Sequence, residues 1–253
     1  MPTKDPISYV SDLEVKYPEG RFETFRSRSP EEAELVKEGT EQAFLADKSL
    51  VSFISEVNGQ NRKDVLNSTL LAQMAANKKF PNEADILEWY KAFIDVLSKI
   101  GWNIEASEIS TFESEKAVFE LEAAIIDILS GAFGGGFMKV IAKTLESIKN
   151  MSNEDQKIIA FEKNTHSLTK GCFQIALAVE QNEVVSIQLG TFLLTSSKKI
   201  KQILFFKSKK DKTKLQYSSR RGTLNSEVYE QIRGVVLKKI GDDITAYVTE
   251  IEI

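Results

Sequence analysis

The chain has 253 residues, of which 42% are hydrophobic and 28% charged, and its formal net charge at pH 7 is -4. These values are typical of a folded globular protein long enough to bury a full core, and the net charge gives no overall attraction to nucleic acid. The single His166 and the single Cys172 exclude a zinc site of four His or Cys ligands and an intrachain disulfide. A Ser-His-Asp or Cys-His arrangement would have to use His166 as its base. We therefore assign no catalytic residue, metal or cofactor, and favour a binding function over an enzymatic one.

Residues 1–29 predict an irregular N-terminal segment, because prolines recur there and no apolar stretch follows the first charges. A classical signal peptide needs such a stretch. With one cysteine in the chain, a reducing compartment is the default expectation. We expect a cytoplasmic protein, with non-classical secretion left open.

Residues 30–151 predict a helical half of five to six helices. Ser29-Pro30-Glu31-Glu32 is typical of a helix start, with a cap, a proline in the first turn and acidic residues after it. Ser110–Phe112 is interpreted as a linking strand, and Leu50–Val57 is short and apolar, either helix or strand. Apolar residues at helical spacing predict helices from Pro30 to about Ala46, Asn61–Lys79, Asn82–Ile100, Ser114–Leu129 and Phe137–Lys149.

Residues 152–253 predict an antiparallel sheet with one further helix, Asn225–Ile240. Helices followed by strands favour an α+β fold, in which the helical half packs on the sheet meander as one compact body. The predicted strands are Ile158–Glu162, Gly171–Glu180, Val184–Thr195, Ile200–Ser208, Leu215–Ser219 and Ala246–Ile253.

Ala123–Ala142 is an apolar segment interrupted by three consecutive glycines, which predict a break between two helices. The segment suits a buried core hairpin, a lipid or apolar-ligand site, or a membrane-inserting hairpin. Asp127 and Lys139 disfavour a simple membrane span, because charges at bilayer depth are costly. The candidate lipid-facing residues are Ile125, Leu129, Phe133, Gly134, Gly135, Gly136 and Phe137.

Lys198–Arg221 is strongly basic, since ten Lys and Arg residues stand there against Asp211 alone. Lysines commonly solvate a hairpin and protect a sheet edge, but such a patch also suits an anionic membrane or an acidic protein. Nucleic acid is disfavoured, because neither a recognition helix nor an RNA-binding aromatic motif is present. The candidate residues are Lys207, Lys209, Lys210, Lys212, Lys214, Arg220 and Arg221.

Cys172 begins an alternating strand, where a buried inert thiol is the ordinary interpretation and a reactive or acylated thiol the sharper one. The order of helices before sheet, with one cysteine and a lipid-sized apolar region, is similar to an acylated virulence factor of insect-infecting plant-pathogen bacteria. The resemblance is architectural, matches no motif, and implies only that Cys172 is an acylation site.

Together these features favour a non-enzymatic, effector-type protein that associates with anionic lipid or a fatty-acyl ligand. In this hypothesis the glycine-hinged helices supply the apolar element and the basic hairpin supplies electrostatic docking. The alternative is a protein–protein interaction module, of the immunity or adaptor type, whose partner is acidic.

Overall fold

A computed structural model describes residues 5–20, 35–82, 85–133, 138–241 and 246–253. Within them the chain forms seven helices: α1 Pro6–Asp12, α2 Gly59–Lys79, α3 Ile86–Lys99, α4 Leu121–Phe133, α5 Met138–Asn150, α6 Gln156–Thr165 and α7 Ser226–Ile240. The strands are β1 Gln42–Ala46, β2 Ser49–Phe53, β3 Trp102–Ile104, β4 Ser110–Phe112, β5 Val118–Glu120, β6 Lys170–Gln181, β7 Val184–Ser196, β8 Lys207–Lys209, β9 Thr213–Leu224 and β10 Val248–Ile251.

The large sheet has the order β10-β1-β2-β6-β7-β9-β3, and β4 also pairs with β9. The β6-β7-β9 meander is antiparallel as expected, but β2 and β6 run parallel, so the sheet is mixed. Its strands come from both sides of residue 151, because β1 to β4 precede that point. A second, two-stranded sheet joins β5 to β8. Seven helices with a large mixed sheet agree with an α+β class, although the strands are less segregated than expected.

Both faces of the sheet are buried. Side chains of β6 alternate between two apolar clusters: Phe173 and Ile175 face α4, α5 and α6, whereas Ala176 and Ala178 face α1, α2, α3 and α7. A strand buried on both sides carries a continuous apolar run instead of a polar alternation. The sheet therefore lies between two helical layers.

This two-sided burial explains why the predicted helix reaching Ala46 is wrong. Gln42–Ala46 is strand β1, and all five of its residues are buried, so neither a two-residue nor a helical period marks it. Asp47 and Lys48 then form the turn into β2. The predicted helix start at residues 29–32 lies outside the described residues.

Two further predictions also fail. Ile158–Glu162 is not a strand but part of α6, which Asp155 caps by accepting a hydrogen bond from the Lys157 amide and which buries Ile158 and Phe161 on one side. Ile200–Ser208 is largely an irregular segment, because its apolar side chains fill the second cluster without pairing as a strand. Only Lys207–Lys209 of this region is a strand.

Arg62 fixes the connection between β2 and α2. Its side chain is fully buried, lies over the Phe53 ring with Cζ 5.5 Å from the centroid, and donates five hydrogen bonds. The acceptors are the carbonyls of Thr40, Ile54, Ser55 and Val57 and the amide oxygen of Gln42. One guanidinium thus satisfies polar groups of β1 and of the two loop segments before β1 and after β2.

Replacing Arg62 by Met should lower the free energy of unfolding by about 3 kcal/mol, because it leaves the acceptors of two buried and three partly buried hydrogen bonds without their donor. The matched control is Lys99→Met, which removes an exposed pair with Asp95 and should cost about 0.5 kcal/mol. Urea denaturation of both variants measures the difference. Equal losses in the two variants would contradict the role given to Arg62.

Candidate functional site

Helices α4 and α5 cover one face of the sheet with their apolar sides. Ile125 and Leu129 are fully buried and Phe133 is 8% exposed, all within the cluster on the β6 and β7 surface. Leu129 lies directly over Gly190, where an added Cβ would be only 2.6 Å from Leu129 Cδ2. These three predicted lipid-facing side chains therefore point towards the sheet. The other four candidates, Gly134, Gly135, Gly136 and Phe137, lie outside the described residues.

The outward side of α4 is small and weakly polar. Ile126 is 37% exposed, Gly131 borders open space, and Asp127 is the charged residue on this side. The exposed residues of α4 are Ala123, Ile126, Asp127, Ser130, Gly131 and Ala132. The outward side of α5, by contrast, is charged: Lys139, Lys143, Glu146 and Lys149 are exposed. Of the two helices, α4 has the less charged outward side.

Four lysines line one shallow groove beside β8, which we call the basic groove: Lys198, Lys207, Lys209 and Lys212, together with Val118, Ser197 and Ser208. Lys207 Nζ lies 3.0 Å from Glu120 Oε1, and Lys198 Nζ donates to the Lys207 carbonyl. The Lys207 side chain therefore pairs with Glu120 across the two-stranded sheet, and Lys198 is hydrogen-bonded to the Lys207 main chain. Lys214 is exposed nearby, at the start of β9.

The basic groove and α4 are neighbours through β5. Lys209 pairs in register with Val118, and Lys207 with Glu120. α4 begins at Leu121, the residue after β5, and the Leu121 amide donates to the Phe206 carbonyl at 3.0 Å. The basic groove and the start of α4, which are far apart in sequence, thus form one continuous surface, with the half-exposed Val118 between them.

The remaining basic candidates do not all join this surface. Arg220 and Arg221 lie about 20 Å along β9 from Lys214 at the usual rise per residue. Arg220 is half-buried and donates to Tyr90 Oη at 2.8 Å and to the Ser107 carbonyl at 2.6 Å, which makes it a structural clamp. Arg221 is exposed. Lys210 lies in a turn of 3-10 helix, and its side chain is outside the described part of the chain.

A separate cleft of about 200 Å³ lies at the β1–β2 turn and contains Asp47, Lys48, Asn77, Trp89, His166 and Cys172 among its lining residues. Asp47 is 1% exposed and takes a positive φ of 50°, a conformation that Asp and Asn adopt more readily than most residues. Asn77 Nδ2 donates to Asp47 Oδ2 at 2.9 Å, and Trp89 Nε1 donates to Asn77 Oδ1 at 2.8 Å. Asp47 Oδ1 accepts no hydrogen bond from any described residue.

Cys172 lies in the buried lining of this cleft, where Gln174 Nε2 approaches its sulfur at 3.7 Å. Burial raises the pKa of the Cys172 thiol to about 12, so the thiol stays neutral at physiological pH. Acylation of Cys172 stays a prediction. His166 contacts Glu162 through Nε2 and the Ser167 carbonyl through Nδ1, both at 2.7 Å.

The sequence interpretation missed the Asp47 cleft. A two-residue Asp-Lys turn between apolar pentapeptides is a hairpin pattern that would have placed Asp47 at a special backbone position. Its contact with Asn77, and that of Asn77 with Trp89, depends on how α2 and α3 pack. No local pattern indicates those contacts.

Replacing Asp47 by Asn should stabilise the protein above pH 6. Burial raises the pKa of Asp47 to about 6, from a usual value near 4. Between about pH 4 and 6 the folded protein therefore binds more protons than the unfolded chain, so its stability falls as the pH rises. At pH 7 the Asn variant should be more stable than the original protein by about 3 kcal/mol, with little difference in protonation cost at pH 4.

Urea denaturation across this pH range measures the effect, and exposed Asp211→Asn is the matched control. The Asp211 variant should follow the profile of the original protein. An Asp47→Asn profile parallel to that of the original protein would contradict the buried, destabilising carboxylate.

No helix among the described residues combines the length and apolar character needed to cross a membrane. In the same residues, no group of three or more His, Cys, Asp or Glu side chains is arranged to hold a metal ion.

No protein-family model and no curated protein matches the chain. Its fold is similar, at a low level, to those of toxin and virulence proteins. A delta-endotoxin is 12% identical with a TM-score of 0.44, and the match covers 70% of this chain and 83% of that one. The activated Cyt2Ba monomer from Bacillus thuringiensis subsp. israelensis is 10% identical with a TM-score of 0.32, and the match covers 53% of this chain and 79% of that one. The Evf virulence factor is 12% identical with a TM-score of 0.35, and the match covers 95% of this chain and 88% of that one.

Proposed function

We propose that this protein is an effector that associates with anionic membranes, using the basic groove to dock and the α4–α5 hairpin as its apolar element. The observation that carries the proposal is the β5–β8 pairing, which sets the lysines beside the first turn of α4. Two weak membrane signals on one surface act together, whereas either alone binds only marginally.

Docking is the electrostatic step. A lysine close to an anionic membrane surface contributes about 1 kcal/mol, and the contribution falls off within a Debye length. Lys209 and Lys212 offer full charges to the surface, while Lys207 is already partly compensated by Glu120. Binding in this step is therefore sensitive to salt.

The apolar step requires the hairpin to turn its inward side towards lipid. Ser52 Oγ and Thr144 Oγ1, 3.2 Å apart, and the exposed Lys143–Glu41 pair link α5 to the rest of the protein. These polar contacts are weak, since an exposed ion pair contributes about 1 kcal/mol or less. Lipid replaces the apolar surroundings of Ile125 and Leu129, so the main cost is the sheet surface left uncovered.

Asp127 limits how deeply α4 enters the membrane. A carboxylate at the bilayer centre costs about 2.5 kcal/mol or more, and the cost falls to about 1 kcal/mol or less near the interface. The exposed side of α4 carries Asp127 together with small residues. An interfacial position, with Asp127 towards water and the Leu129 side towards the acyl chains, satisfies both faces of the helix.

Vesicle flotation tests docking. The protein should float with vesicles containing anionic lipid at low salt and not with purely zwitterionic vesicles. Lys209→Glu combined with Lys212→Glu should weaken binding at least about tenfold, because two attractive charges become repulsive. The matched control combines Lys99→Glu with Lys238→Glu on the opposite helical layer, an equal change of charge that should leave flotation intact.

Three outcomes would count against the proposal. The protein fails to float with either vesicle type, the two double variants float equally, or the lysines prove necessary only for salt-sensitive capture by an acidic protein. The last result would favour the interaction-module alternative, since the same charges serve a protein partner.

A further inference from the structure

Burial of the Asp47 carboxylate destabilises the fold, because the hydrogen bonds that it accepts do not offset the loss of its hydration. Only one of its oxygens is hydrogen-bonded among the described residues, and Asn would occupy the same left-handed turn without a charge to desolvate. Residues that reduce stability in this way are concentrated at functional sites, where a ligand supplies the missing partner. The missing partner of Asp47 Oδ1 is a hydrogen-bond donor.

The mouth of the cleft has the opposite charge. Among the described residues, Glu19 is the other carboxylate that lines the cleft besides Asp47, and its Oε1 lies 3.8 Å from Lys16 Nζ. The lysines that line the cleft are Lys16, Lys48, Lys163 and Lys170. A simple cation would be repelled by these lysines, and a simple anion would be repelled by Asp47. A molecule carrying both charges matches the acidic floor and the basic mouth together.

Lys48 stands between the floor and the mouth. It follows Asp47 directly, and its Nζ lies 5.3 Å from the centroid of the Trp89 ring. Trp89 in turn reaches Asp47 through Asn77. A ligand that opens a path to Asp47 and draws the Lys48 ammonium to its own anionic group changes the surroundings of the Trp89 indole.

We propose that this cleft binds a small free zwitterion, such as an amino acid or an aminoalkyl phosphate. Its ammonium group donates to Asp47 Oδ1, and its anionic group lies among the lysines at the mouth. The volume of about 200 Å³ far exceeds the roughly 15 Å³ that one ordered water needs. The site shares no residue with the basic groove or with α4, so it stands or falls independently of membrane docking.

Fluorescence titration with O-phosphoethanolamine tests the proposal. The chain has two tryptophans, so Trp102→Phe leaves Trp89 as the single fluorescent reporter. Trp102 itself lies in the core, away from the cleft, where it donates to Ser68 Oγ. In this background O-phosphoethanolamine should produce a saturable change in Trp89 emission. Ethanolamine and inorganic phosphate, which each carry one of the two charges, should bind at least about tenfold more weakly, because each forgoes one charge-assisted contact.

Asp47→Asn in the same background should weaken O-phosphoethanolamine binding at least about tenfold while the protein stays folded. The matched control is Asp211→Asn, an exposed carboxylate outside the cleft, which should bind as the parent does. Calorimetry on the unmodified protein provides a second measurement that does not depend on Trp89. Three results would overturn the proposal: no saturable binding up to the millimolar range, equal binding by the Asp47→Asn variant, or phosphate binding as tightly as O-phosphoethanolamine.

Discussion

The requirement that both faces of one mixed sheet be covered determines this structure. Nine consecutive residues of β6 are buried, and the neighbouring β7 is almost entirely so. Either face, if left uncovered, would expose large apolar side chains to water. On the face that α4 and α5 cover, these include Phe173 and Phe192. Two helical layers follow from that constraint, and α4 with α5 forms most of one of them. The apolar character of α4 is therefore first of all that of a cover.

In the proposed function α4 and α5 also act on a membrane, because lipid and the sheet offer their inward faces similar apolar surroundings. The two environments compete for Ile125, Leu129 and Phe133, and electrostatic attraction at the basic groove would shift the balance towards lipid. The β5–β8 pairing matters for this reason. It places the basic groove where α4 begins. In the proposed function, docking through these lysines therefore brings α4 and α5, rather than another part of the surface, to the bilayer.

Sequence reasoning worked where an element is long or has clear end signals, as for β6 and β7, although both faces of these strands are buried. Helices α2, α3 and α7 carry an apolar stripe or clear end signals, and Ser110–Phe112 is the strand β4. It failed for β1, whose both faces are buried, and for α6, whose isoleucines resemble a strand. The lysines of the basic groove were visible as composition, but their position close to the start of α4 comes from the three-residue β5–β8 pairing, which no local pattern specifies. The surroundings of Asp47 were missed for the same reason, since Asn77 comes from α2 and Trp89, which donates to Asn77, comes from α3.

The proposed release of α4 and α5 from the sheet on a membrane is tested most directly by locking α5, against which α4 packs, to strand β2. Ser52→Cys with Thr144→Cys replaces two facing buried hydroxyls, 3.2 Å apart, by thiols to be joined by oxidation, and Cys172→Ala removes the native thiol; loss of free thiol confirms that the disulfide has formed. The oxidised protein should bind anionic vesicles only at low salt, whereas the reduced protein should acquire salt-resistant binding. Salt-resistant binding by the oxidised protein, equal to that of the reduced form, would contradict the account.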